Sequence, residues 1–134
     1  MRLASVSIVL ALAACQSPGG GIDRGVAVPG DHAVRLGQSL ALPDGSRLTY
    51  VRLVADSRCR PGVQCIRAGD ADIELRWNPA SGNALSALLN SDPRNRQKAP
   101  NATRFGEWQI ALKSLDSSQP PVATLSLDRP RGTP

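Results

Sequence analysis

Aromatic side chains are scarce in this sequence: two Trp, one Tyr and one Phe in 134 residues. So few rings exclude a base-stacking platform for single-stranded nucleic acid. They also leave the core to Val, Leu, Ile and Ala, with Trp77 and Trp108 as its large pieces. Histidine occurs once, as His32, so any Ser-His-Asp arrangement would depend on that residue. Lysine is nearly absent as well; only Lys98 and Lys113 occur, and the net charge of +5 comes almost wholly from arginine. The arginines are spread along the chain and form no basic run, which argues against a nucleic-acid partner and for a solvated mixed surface. Weak attraction to lipid phosphates or lipopolysaccharide is compatible with this balance. No glycine-rich phosphate loop follows a strand, and no paired-carboxylate motif is present. The sequence therefore nominates no catalytic residue, no cofactor and no metal. It also lacks an apolar run long enough for a membrane span: Leu3 to Ala14 is about twelve residues, short of the roughly 30 Å that a helix must cross.

That short run is nonetheless the most informative segment. Arg2 supplies a basic start, the apolar stretch follows, and it ends in Leu12-Ala13-Ala14-Cys15 before the loose string Gln16-Ser17-Pro18-Gly19-Gly20-Gly21. This order resembles the signal peptide and lipobox of bacterial lipoproteins. The resemblance implies a signal peptide over residues 1–14, acylation of Cys15, and a lipid bilayer as the first partner. Several acyl chains would hold the protein on that bilayer far better than one. Gln16 stands where an Asp would favour inner-membrane retention in a Gram-negative host, so the expected location is the outer membrane, facing the periplasm. Residues 15–32 read as the lipidated cysteine and a flexible tether.

With Cys15 taken by lipid, Cys59 and Cys65 remain. An exported domain meets an oxidising compartment, where such a pair is expected to form a disulfide. Pro61-Gly62 between them is a strong turn signal that lets the two side chains meet. A metal site would need more ligands, and His32 lies far off in sequence. A redox-active pair usually has two intervening residues, against five here.

The rest of the chain reads as short strands between turns. Val34, Leu36, Leu40 and Leu42 alternate, with Gly37-Gln38 as a bulge. Pro43-Asp44-Gly45-Ser46 is a hairpin turn. Arg47 to Ala55 is the next strand, with either Val51 and Leu53 or Leu48, Tyr50 and Val54 facing inward. Ile73, Leu75 and Trp77 alternate with Asp72, Glu74 and Arg76, the mark of a half-buried strand. Ala84 to Leu89 leans to strand. Ser91 to Arg104 reads as a long exposed loop. Trp108, Ile110 and Leu112 mark another strand, and Ala123, Leu125 and Leu127 the last. The predicted fold is all-β: a single antiparallel β-sandwich or small β-barrel of about six or seven strands over residues 33–128, with 129–134 a disordered tail.

Between the second and third strands lies Asp56-Ser57-Arg58-Cys59-Arg60-Pro61-Gly62-Val63-Gln64-Cys65-Ile66-Arg67-Ala68-Gly69. This segment resembles a cystine loop of small bacterial envelope proteins of unassigned function. Their pattern runs Asp-Ser-Arg-Cys-Pro, then Val, a second Cys, a hydrophobic residue, Trp, Ala and Gly. Here Arg60 precedes the proline, and Arg67 stands where the tryptophan is usual. If that tryptophan makes a ligand surface, this chain lacks it; if it merely packs, Arg67 must snorkel there. Asp56 and Ser57 can fold onto local backbone N–H groups, and Arg58 can pair with Asp56 or with Asp70. The loop reads either as scaffolding or as a preorganised binding surface built from Arg58, Arg60, Pro61, Gly62 and Arg67. The functional expectation is a non-enzymatic lipoprotein with a binding or accessory role at the envelope, engaging an envelope protein. The alternative is a hydrolase-inhibitor-like module presenting the Cys59–Cys65 loop.

Overall fold

The computed structural model describes residues 25–95 and 97–130, so the leader, Cys15 and residues 131–134 lie outside the described residues. Among the described residues there is no helix. The alternation around Trp77 sets the plan. In β4 (Ala71–Asn78), Ala71, Ile73, Leu75 and Trp77 are buried, while Asp72, Glu74 and Arg76 face outward. A strand with one apolar face needs a second layer to cover it, and the chain supplies that layer as a second sheet.

The first sheet has the order β2-β3-β4-β5, from β2 (Ser39–Ala41), β3 (Arg47–Asp56), β4 and β5 (Leu85–Asn90). The second has the order β1-β8-β7-β6, from β1 (Gly30–Val34), β6 (Ala102–Phe105), β7 (Trp108–Leu115) and β8 (Ala123–Asp128). All neighbouring strands run antiparallel. The result is an open sandwich of two four-stranded sheets, not a closed barrel. Leu48, Tyr50, Ile73, Leu75 and Leu89 of one sheet pack against Val34, Ile110, Leu125 and Leu127 of the other. Trp77 stacks on Phe105 at 5.8 Å between ring centroids. Among the described residues, every strand and every core side chain falls between Ala27 and Asp128.

The structure refines the sequence reading at several points. Among the described residues there are eight strands, not six or seven. The alternation from Val34 to Leu42 is two strands in different sheets, separated by a turn in which Gln38 N–H donates to the Arg35 carbonyl at 2.9 Å. Local periodicity cannot distinguish a bulge from a change of sheet. β6 lies inside the segment expected to be loop; four residues are too few to show a period. β1 begins at Gly30, and Val26 bridges Ala41, so the end of the expected tether belongs to the domain. Arg129, expected in the tail, pairs with Glu107 and lies over the Trp108 ring. In β3 the register shifts between Tyr50 and Arg52 and again between Leu53 and Ala55. Leu48 and Tyr50 therefore face the core, Leu53 returns toward it past the first bulge, and Val54 is exposed. The two alternations left open in the sequence each hold for part of the strand.

The register also defines two ends. Val26, Ala41, Arg47 and Asn78 cluster at one end, where the described chain begins. Asp56 and Ala71 pair at the other, where the cystine loop begins. The length of β4 separates them by about 23 Å, at roughly 3.3 Å per residue.

Candidate functional site

β3 and β4 hand the chain to the loop at Asp56 and take it back at Ala71, and the flanking residues lock the crossing. Ser57 N–H donates to the Asp70 carbonyl at 2.8 Å, and Asp70 N–H donates to Ser57 Oγ at 3.2 Å. Gly69 lies directly against this crossing: a Cβ added there would sit 1.7 Å from the Ser57 carbonyl oxygen. Only glycine fits so close a backbone approach.

Arg58 closes the other side. Its Nε and Nη2 donate to Asp56 Oδ1 and Oδ2 at 2.9 and 2.8 Å, a bidentate pair. Its backbone N–H donates to Asp56 Oδ1 at 3.1 Å, the local turn expected from the sequence. Its Nη1 donates to the carbonyls of Leu115 and Asp116, each at 2.9 Å. Arg58 therefore ties the end of β3 to the end of β7, one sheet to the other. The Arg58 guanidinium holds the Asp56 carboxyl below its ordinary value, against the opposing effect of burial. Of the two partners considered for Arg58, Asp56 is the one used.

Asp70 takes a different set. Lys98 Nζ donates to it at 2.7 Å, Asn95 Nδ2 at 2.7 Å and Asn90 Nδ2 at 3.1 Å. These donors, Lys98 foremost, pull its pKa to about 2. Asn90 is fully buried, and its Oδ1 accepts the Asp92 N–H at 2.8 Å. The long polar loop after β5 is thus anchored on the base of the cystine loop. Sequence reasoning did not find this network; amides and a carboxylate spread over residues 70–98 carry no spacing signal, and only register brings them together.

Above this base the tip is unencumbered. Cys59 and Cys65 are joined in a disulfide. Val63 N–H donates to the Arg60 carbonyl at 3.1 Å, and Gly62 has φ +79°, so Arg60-Pro61-Gly62-Val63 is the turn that the Pro-Gly pair foretold. Arg60, Pro61, Gly62 and Arg67 are exposed, and among the described residues neither Arg60 nor Arg67 forms an ion pair. Val63 is 57% exposed and Ile66 fully so, at 102%. Neither aliphatic was singled out from sequence, where a lone Val or Ile in a loop carries no signal. Arg67 is exposed, next to Ile66 in sequence, at the rim of a depression it shares with Ser57 and Asp70.

A groove of about 210 Å³ runs between the loop and the turn after β7, bordered by Arg58, Arg60, Pro61, Asp116 and Gln119. It is smaller than the roughly 300 Å³ at which small-molecule sites begin, while a wider, open depression of about 810 Å³ lies at the base of the loop, bordered by Ser57, Arg67, Asp70, Arg94 and Lys98. The sole histidine lies on β1, where His32 Nε2–H donates to the Val28 carbonyl at 2.6 Å. The site is thus a hydrogen-bonded base carrying an exposed, part-aliphatic, part-cationic tip, in an all-β sandwich with a disulfide-closed loop. No protein family, curated protein or solved structure matches this chain.

Proposed function

We propose that the protein is a lipid-anchored, non-enzymatic binding module of the bacterial envelope, held by acylated Cys15 and presenting the Cys59–Cys65 loop to a partner. One observation carries this reading. The base of the loop is saturated with internal hydrogen bonds, while Arg60, Val63, Ile66 and Arg67 at its tip face solvent. A fold that only needed a closed loop gains nothing from a fully exposed isoleucine. A rigid loop with exposed side chains loses little conformational freedom on association, which favours binding. The lipobox resemblance supports the anchor and the outer-membrane location, since Gln16 follows the cysteine.

The test uses the full chain in a bacterial host, with a photo-crosslinking residue placed at position 66 or, as control, at Ser81 in the turn at the far end. Adducts from position 66 and none from position 81 are expected. A protein adduct that is a hydrolase would favour the inhibitor-like form of the module. No adduct of any kind from position 66 would overturn the presented-loop reading. In parallel, fatty-acid labelling should mark the chain and fail with Cys15→Ser; equal labelling of both would overturn the anchor.

A further inference from the structure

We propose that the tip of the cystine loop docks on an anionic phospholipid surface, with Val63 and Ile66 entering the acyl boundary and Arg60 and Arg67 meeting the lipid phosphates. This rests on the presented-loop reading above and names its partner.

Charge comes first. At this end of the sandwich Arg58 is paired with Asp56, Lys98 with Asp70 and Arg94 with Asp92. The two arginines without an ion pair at the tip, Arg60 and Arg67, flank the exposed aliphatics in sequence. A surface with free cations beside exposed apolar side chains is complementary to anionic headgroups over hydrocarbon.

Shape separates lipid from protein. Protein interfaces concentrate their affinity in aromatic and arginine anchors that fill matching pockets. This tip has no aromatic residue, and its exposed apolar side chains, Val63 at 57% and Ile66 at 102%, are single aliphatics. A fluid acyl boundary needs no complementary pocket, so isolated aliphatics are enough.

Reach is the third point. The base of the loop lies about 23 Å from the end where the chain enters the domain, measured along β4 at roughly 3.3 Å per residue. Ten residues from Cys15 to Gly25 extend to at most about 35 Å. Fully extended, the tether therefore spans more than the distance from its end of the domain to the base of the loop. Tethering also raises the effective concentration of the tip at that surface, so a contact that is weak alone is sufficient.

The test removes the anchor and asks whether the tip alone binds. A chain starting at Gln16 keeps all eight strands and the core of the described residues; its fold is checked by urea unfolding. Co-sedimentation is measured at high lipid with phosphatidylglycerol-rich vesicles and with pure phosphatidylcholine vesicles. The chain is expected to partition onto the anionic vesicles and to be released by salt. Ile66→Asp and Val63→Asp should each reduce partitioning about tenfold or more, and Arg60→Gln and Arg67→Gln about fivefold each. Ser81→Asp, at the opposite end, should bind as the parent does. Because Ile66 is fully exposed, Ile66→Asp leaves the urea midpoint unchanged. No partitioning onto anionic vesicles overturns the proposal, as does equal partitioning of the parent and Ile66→Asp. A protein adduct at position 66 together with absent vesicle binding would overturn the lipid partner and leave the presented loop standing.

Discussion

Replacing Gly69 by alanine tests the base of the loop at a single atom. The added Cβ would lie 1.7 Å from the Ser57 carbonyl oxygen, 2.2 Å from its carbon and 2.8 Å from the Arg58 nitrogen. All three are backbone atoms, so no rotamer change relieves the clash. Restoring a separation of 3.0 Å requires the two chain segments to part by about 1.3 Å. That movement takes the Ser57 N–H bond to the Asp70 carbonyl, now 2.8 Å, beyond hydrogen-bonding distance, and with it both contacts of Ser57 Oγ to the Asp70 backbone. Three bonds at about 1 kcal/mol each give a loss of about 3 kcal/mol. Alanine also restricts the unfolded chain, which returns roughly 0.4–1 kcal/mol. The net destabilisation is about 2 kcal/mol, or about 8–10 °C in Tm for a domain of this size. Gly25→Ala is the internal control, because a Cβ there meets nothing within 4 Å. Urea and thermal unfolding of the two variants beside the parent measure the difference. A Gly69→Ala variant melting within about 2 °C of the parent would refute the reasoning, since the crossing would then yield without losing its bonds.

The disulfide closes a short ring, so Cys59→Ser/Cys65→Ser should lower stability by about 2 kcal/mol while far-UV circular dichroism stays that of the folded sandwich. Unfolding of the domain by reduction alone would contradict this. Acid should weaken the protein through Asp70. Its pKa is lowered in the folded state, so its contribution is full above the ordinary carboxylate range and is lost as pH falls toward about 2. Tm measured from pH 6 downward should drop more steeply for the parent than for Asp70→Asn, and parallel curves would refute the assignment. Asp44 accepts the Trp108 indole N–H at 2.7 Å and the Ser46 backbone N–H at 2.9 Å, joining the β2–β3 turn to the other sheet. Asp44→Ala should cost about 2 kcal/mol by leaving a buried indole donor unpaired, read from the urea midpoint.

How much of this was legible in the sequence depended on where the signal lived. β4 and β8 alternate throughout and β7 does so as far as Leu112, because each has one face on the core, and period-two reading found all three. The disulfide and its Pro-Gly turn were legible because both are local. β6 and the change of sheet between β1 and β2 were not, because a short strand has no period and local pattern does not encode which sheet a strand joins. At the site, Arg60, Pro61, Gly62 and Arg67 are exposed. Arg58, grouped with them from sequence, instead ties the two sheets together through the Leu115 and Asp116 carbonyls. Those acceptors are backbone atoms nearly sixty residues away, and backbone acceptors are invisible to any reading of side-chain types.

Arg67 offers the sharpest remaining test, because the resembled loop pattern carries tryptophan at this position. The sequence left two roles for that ring: packing into the domain, or making an outward surface. Arg67 faces solvent next to fully exposed Ile66, so a larger side chain there has no core to enter. Arg67→Trp should therefore leave the urea midpoint unchanged, where a packing role would raise it. The same substitution makes the tip its own reporter. Trp77 and Trp108 are 9% and 1% exposed, so their emission is already that of buried indoles. The introduced indole starts in water, and on a lipid surface it would take the interfacial position that tryptophan favours. Adding anionic vesicles to the chain that starts at Gln16 should shift the variant's emission to the blue and leave the parent's unchanged. Ile66→Asp in the same background should weaken the shift, because the two side chains would enter the boundary together. An emission that vesicles do not move, in a variant whose fold is intact, would separate the tip from lipid and return Arg67 to the role of a solvated charge.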